Sequence, residues 1–153
     1  MSGGGADAAM REYAANLPVP EIDGTSWTVP VPLGDATVAI VTTAALHEVG
    51  DERYGPADTG YRVLARETRD LVMGHWSPNF DRAGFAADLD VVYPIDRLEE
   101  LAARGVIGAV APHHVAFAGN QDDTVTKVRL DSGPRAARIL RDDGVDIVLL
   151  TPV

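Results

Sequence analysis

The last nine residues, VDIVLLTPV (Val145–Val153), decide the fold. The run Ile147-Val148-Leu149-Leu150 is apolar at every position, which predicts a strand covered on both faces. Just before it, between about Ser132 and Asp143, Ala136, Ile139 and Leu140 recur at helical spacing, and Gly144 closes that helix. A helix feeding a doubly covered strand is the unit of a parallel sheet. In open sheets of this kind ligands bind past the carboxyl ends of the strands. Thr151-Pro152-Val153 therefore lies where a site is expected to begin, and the sequence given stops there.

Outward from this strand, ATVAIVTT (Ala36–Thr43) is the clearest internal strand, continuous, β-branched and bounded by Gly34-Asp35. DLDVVYPIDRLEELAARGVIG predicts a short strand at Val91–Tyr93 and then a helix. Pro94 suits that helix's first turn, Ile95, Leu98, Leu101 and Ala102 form its apolar stripe, and Gly105 caps it. A further strand is expected over Val110–Phe117, and one or two short strands within YRVLARETRDLVMGHW. The stretch AALHEVGDERYGPADTG reads as loop. LPVPEIDGTSWTVPVPLGDA, rich in Pro, reads as an extended strap anchored by Trp27. A tail with a short helix, Met10, Tyr13, Ala14 and Leu17 on one face, occupies residues 1–17, and residues 18–153 form a single domain. The expected class is α/β: a three-layer, Rossmann-like fold with a largely parallel sheet, incomplete at the C-terminal strand. No GxGxxG follows a strand, so no dinucleotide fingerprint is present.

Composition narrows the function. The formal net charge of −10, with 13 Lys and Arg against 23 Asp and Glu, argues against a nucleic-acid partner. No apolar run is long enough to span a bilayer, and the N-terminal stretch lacks the pattern of a signal peptide. The chain contains no Cys, so it offers no disulfide and no thiolate. A cytoplasmic protein is expected.

The candidate chemistry sits on histidines, carboxylates and strand-end hydroxyls. If the strands around Ile40 and Leu149 are parallel neighbours, Thr43, His47 and Thr151 converge on one rim, suited to holding a carboxylate; the alternative is that the threonines cap turns and His47 is a surface loop residue. In HWSPNFDRAGFAADLD, a turn at Pro78-Asn79 would let His75 and Asp81 meet as an acid–base or metal-binding pair, although Asp81 also suits a simple cap. Adjacent residues of a strand point to opposite faces, so only one of His113 and His114 can reach a given site; His114 is the candidate. Any metal would draw on His47, His75, Asp81 and His114, although the spacing matches no known metal motif.

Four stretches taken together, VAIVTTAALH, HWSPNFDR, DLDVVYPIDRLEELAARGVIGAVAPHHVAFAG and ARILRDDGVDIVLLTPV, resemble the glycine/sarcosine/betaine reductase selenoprotein B family, which includes the D-proline reductase selenoprotein. The resemblance runs from about Leu17 to Val153. It implies a component of a reductase that breaks a C–N bond in an amino acid or its N-methyl derivative. It also implies a partner subunit whose pyruvoyl group captures the amine, and a selenocysteine or cysteine that follows the TP-x turn directly. The present sequence ends at that point, so a selenocysteine codon read as a stop, a split gene or a truncation would each account for the ending. By this resemblance Thr43, His47, His75, Asp81 and His114 belong to the substrate side, whereas the redox residue is absent.

Two other readings remain open from the residues: a non-redox lyase or hydrolase, with or without a metal, using the His/Asp rim, and a non-catalytic binding subunit. In each case the terminal strand is expected to expose an edge that pairs with a second subunit or with another copy of the chain.

Overall fold

The computed structural model describes residues 4–16, 24, 28–76, 82–119, 121 and 125–153. Half of the expected strap, residues 17–23 and 25–27, falls outside these residues, as do Trp27 and Asp81. A helix α1, Gly4–Ala15, opens the chain, but Met10 and Tyr13 are more than half exposed, so no apolar face is buried there.

Among the described residues seven strands follow: β1 Thr37–Thr42, β2 Leu46–Glu48, β3 Tyr61–Ala65, β4 Leu71–Met73, β5 Ala109–Val110, β6 His113–Phe117 and β7 Ile147–Thr151. The helices are α2 Ala83–Ala87, α3 Ile95–Ala103 and α4 Gly133–Asp142. β1 lies at the centre of the main sheet. It pairs in parallel with β7 on one side and with β5 and β6, end to end, on the other. β3 adds to β6 in the antiparallel sense, Tyr61 opposite Phe117. A separate antiparallel pair, β2 with β4, places His47 opposite Val72.

The architecture is therefore mixed α/β. The expectation of a largely parallel, Rossmann-like sheet is corrected by β3, whose alternation carries no information on strand direction. It is also corrected by the small second sheet. Two further expectations change. Val91–Tyr93 is not a strand: Leu89–Val91 forms one 3-10 turn, because the Asp88 carboxylate accepts the Asp90 N–H at 2.9 Å and the Tyr93 N–H returns to the Leu89 carbonyl. His47 is not in a loop but inside β2, 3% exposed.

Alternation along β1 explains its two covered faces. Val38 and Ile40 pack with Tyr93, Ile95, Leu98 and Ile107 on the α3 side. Ala39 packs with Val115, Phe117, Ala136 and Leu140 on the α4 side. Each fully buried Val, Leu or Ile contributes about 1.5–3 kcal/mol, so the central strand depends on both layers. Gly105 and Gly144 have φ of +69° and +74°, the left-handed geometry that ends α3 and α4. α4 is entered through a π-helical turn, Val128–Ser132, and Arg135, Arg138 and Arg141 line its exposed face.

Candidate functional site

The neighbour of β1 contains a bulge, and the bulge determines what His114 does. Val38 faces Val110, yet Val41 faces Val115, so three steps along β1 match five along the other chain. Pro112 sits in the gap and has no N–H to offer the ladder. The Ile40 N–H, which would otherwise meet a carbonyl, donates to His114 Nδ1 at 2.9 Å. That bond assigns the neutral tautomer with the proton on Nε2. His114 is fully buried, with its ring edge-to-face on Tyr93 at 5.5 Å. Burial, with smaller contributions from Arg69, His113 and Arg66, pushes its pKa down to about 4. On the opposite face His113 Nδ1 lies 2.9 Å from the Asp143 carboxylate, tying β6 to the end of α4.

The carboxyl ends of β1, β6 and β7 form the rim expected from the sequence. The Thr43 N–H donates to the Thr151 carbonyl at 3.3 Å, and the Thr43 hydroxyl accepts the Val153 N–H at 2.7 Å. The Thr151 hydroxyl donates to the Val92 carbonyl at 2.9 Å. Both hydroxyls thus brace the chain's own backbone. Gly119, just past β6, has no room for a side chain: a Cβ there would stand 2.8 Å from the Val153 carbonyl, 3.0 Å from His75 Nε2 and 3.0 Å from the Thr43 carbonyl. His75 is therefore delivered to the same rim as Thr43 and Val153, although 32 positions separate it from Thr43 in sequence.

His75 also opens onto a second space. A cavity of about 370 Å³ is lined by His47, Arg53, Tyr54, Met73, His75, Trp76 and Arg82, among others. The β2–β4 pairing builds it, since the Gly74 N–H donates to the Ala45 carbonyl at 3.0 Å and His47 Nδ1 lies 3.2 Å from the same oxygen. Tyr54 forms the floor. It is buried, its hydroxyl donates to the Ala116 carbonyl at 2.7 Å, and burial raises its pKa well above the usual tyrosine range. The Trp76 indole N–H donates to the Tyr54 carbonyl, and Arg82 donates to the His75 carbonyl.

The structure thus gathers Thr43, His75 and Thr151 near one rim, puts His47 beside His75 in the cavity, and holds His114 inside the sheet. Asp81, paired with His75 on sequence grounds, lies outside the described residues. No three His, Asp or Glu side chains among the described residues gather as a metal site. Sequence reasoning missed Gly119, Arg53, Tyr54 and Arg82, which only long-range strand pairing brings to this place.

A larger and apolar cavity of about 750 Å³ runs between α4 and the sheet, past Val41, Val128, Leu140, Val148 and Leu150. It adjoins β7, which among the described residues pairs only with β1 and leaves Leu150 67% exposed. No helix among the described residues is long and apolar enough to cross a membrane.

The family model for glycine/sarcosine/betaine reductase selenoprotein B matches residues 7–153. D-proline reductase subunit gamma of Acetoanaerobium sticklandii is 36% identical over 146 residues, which cover 93% of this chain and 59% of that protein. Glycine reductase complex component B subunit gamma of Carboxydothermus hydrogenoformans is 27% identical over 152 residues, covering 92% of this chain and 34% of that protein. Betaine reductase complex component B subunit beta of Peptoclostridium acidaminophilum is 27% identical, with 92% and 33% covered. The chain thus spans between a third and three-fifths of the length of these relatives. No solved structure matches it.

Proposed function

The chain belongs to the glycine/sarcosine/betaine reductase selenoprotein B family, and from that premise we propose that it forms the substrate-side framework of a reductase complex that cleaves a C–N bond in an amino acid or N-alkylated amino acid. The observation that carries this reading is the rim at which the carboxyl ends of three parallel-running strands bring Thr43, His75 and the Thr151–Val153 backbone together around Gly119. Such a rim is where open α/β sheets hold small ligands. Of the relatives described above, the one named for D-proline shares 36% of its residues against 27% for those named for glycine and betaine, which favours a cyclic secondary amine as substrate.

The redox atom comes from outside these residues, because the chain has no Cys. A selenol or thiol supplied there would bond to the carbon as the C–N bond breaks and the nitrogen leaves with the electron pair, and the pyruvoyl group that the family resemblance implies would belong to a partner subunit. This chain's own part is positional. Thr43 and Thr151 hold the end of β7 in place, and His75, brought against that strand end, is the group at the rim able to move a proton. The relatives' names describe subunits of complexes, and on this reading the partner subunit docks along the edge of β7 that no described strand covers, where Val148, Leu149 and Leu150 are exposed. A cytoplasmic location goes with this reading.

The test is a chimera. Residues 7–153 replace the matching segment of the A. sticklandii D-proline reductase subunit gamma, and the assembled complex is assayed for reductive opening of D-proline with a dithiol as electron donor. Turnover within ten-fold of the parent complex is the expected result. A folded, assembled chimera that opens no proline, while the parent complex does, overturns the reading.

A further inference from the structure

The cavity beside His75 differs from the rest of this acidic molecule in its charge. The chain carries a net charge of −10, yet the cavity is lined by Arg53, Arg82 and two histidines, and among the described residues no Asp or Glu lines it. Its other polar groups are already committed. The Tyr54 hydroxyl donates to Ala116 and the Trp76 indole to Tyr54, so neither is available to a ligand without losing a bond to the chain. His47 is 3% exposed and has its Nδ1 against the Ala45 carbonyl, which leaves Nε2 for the cavity. Arg82 uses one donor on the His75 carbonyl and keeps the rest of its fork. Arg53 has neither a hydrogen bond nor an ion pair among the described residues.

We propose that this cavity is a carboxylate clamp, in which Arg53 and Arg82 grip the carboxylate of the substrate amino acid while Tyr54 and Trp76 form the wall beside its carbon skeleton. Guanidinium forks match carboxylates in shape as well as charge, and about 370 Å³ is the size of a small-molecule pocket. The placement has a mechanistic consequence. His75 lines the clamp, and its Nε2 crowds Gly119 and the end of β7 at the rim. A carboxylate held in the clamp leaves the amine and the adjacent carbon directed past His75 toward the rim. The inference rests on the reading that the substrate is an amino acid, and it adds the residues that recognise the acid end.

Isothermal titration of the 153-residue chain with D-proline, with acetate and with pyrrolidine, the same ring without its carboxylate, tests it. D-proline and acetate are expected to compete for one site, and pyrrolidine not to bind. Arg53→Gln should weaken both carboxylates at least ten-fold with an unchanged melting temperature, and Arg53→Lys should recover part of that loss. In the chimeric complex Arg53→Gln should raise KM for proline far more than it lowers kcat. If neither carboxylate binds the chain at tens of millimolar, or if Arg53→Gln leaves both the binding and KM unchanged, the clamp is wrong while the chimera's turnover still stands for the reductase reading. If acetate binds and is lost in Arg53→Gln but the chimera opens no proline, the clamp survives as an anion site and the reductase reading falls.

Discussion

His114 and His75 are both buried imidazoles, 0% and 7% exposed, and both lie beside the central strands of the sheet, yet the fold uses them differently. His114 lies within the ladder, where its Nδ1 stands in for a carbonyl that the bulge at Pro112 removed. His75 comes from the segment after β4 and reaches the strand ends, where its Nε2 approaches Gly119 beside the Val153 carbonyl. A histidine bonded to a buried amide is held in one protonation state, because a proton on Nδ1 would oppose the Ile40 N–H. His75 instead lines a cavity at the rim, where a ligand can reach it. Burial alone does not separate a structural imidazole from a functional one; its place in the fold, within a ladder or on a cavity wall, does.

The largest effect that would break this contrast is on stability. His114→Ala removes the acceptor of a buried N–H and opens a cavity against Tyr93, so it should cost about 4 kcal/mol of folding stability. His114→Asn, with an amide oxygen able to accept the same bond, should recover about 1 kcal/mol. Urea unfolding of both variants checks this. A loss below about 1 kcal/mol for the alanine variant would mean that the Ile40 amide finds another partner, and the contrast with His75 would fail.

The second effect comes from protons on the same side chain. Its pKa falls from an ordinary 6.5 to about 4 in the folded protein. Above pH 6.5 both folded and unfolded forms are neutral, and the full stability is present. As the pH drops from 6.5 toward 4, the unfolded chain binds a proton that the folded one refuses, so stability declines, by up to about 3 kcal/mol, and levels off below 4. Stability measured between pH 7 and 5 should fall in the wild type. In His114→Asn the slope in that window should be nearly flat. An equal slope in both would assign the acid sensitivity to other groups.

The same contrast explains what was legible in the sequence. β1 was readable because both its faces are covered and its apolar run is uninterrupted; β7 was readable from its apolar run alone, and the expectation that both its faces are covered is corrected, since Val148, Leu149 and Leu150 are exposed. α3 and α4 were readable because Gly105 and Gly144 punctuate a 3.6-residue stripe. The rim followed from the two strands being parallel neighbours, which put Thr43 next to Thr151. The bulge was not legible: Pro112 within Ala109–Phe117 reads as a minor interruption, and only the shift of register across it shows that His114 has become part of the ladder. β2 and the cavity were hidden for a related reason. Three residues, Leu46–Glu48, form a strand only because β4, more than twenty residues later, pairs with them, and Tyr54, Trp76 and Arg82 meet as a result of that pairing. Local pattern carries no trace of such a contact.

The smallest effect sharpens the comparison at the rim itself. The Thr43 hydroxyl accepts the Val153 N–H at 2.7 Å and stands 3.3 Å from the Val153 carbonyl, so it fixes where the chain goes after β7. Thr43 is only partly buried, and water can replace the lost hydroxyl, so Thr43→Val should cost no more than about 1 kcal/mol of stability. Its effect on turnover in the chimeric complex should be much larger than that. On the proposed reading the Thr151–Val153 backbone borders the reacting centre, and a shift of about 1 Å there can cost around a hundred-fold in rate. Thr43→Ser, which keeps the hydroxyl, should restore most of the turnover at nearly the same stability. His114→Ala lowers stability before anything else, whereas Thr43→Val should lower rate at almost constant stability. If Thr43→Val loses stability and rate in proportion, the rim is scaffold in the same sense as the bulge, and the positioning role moves to His75 alone.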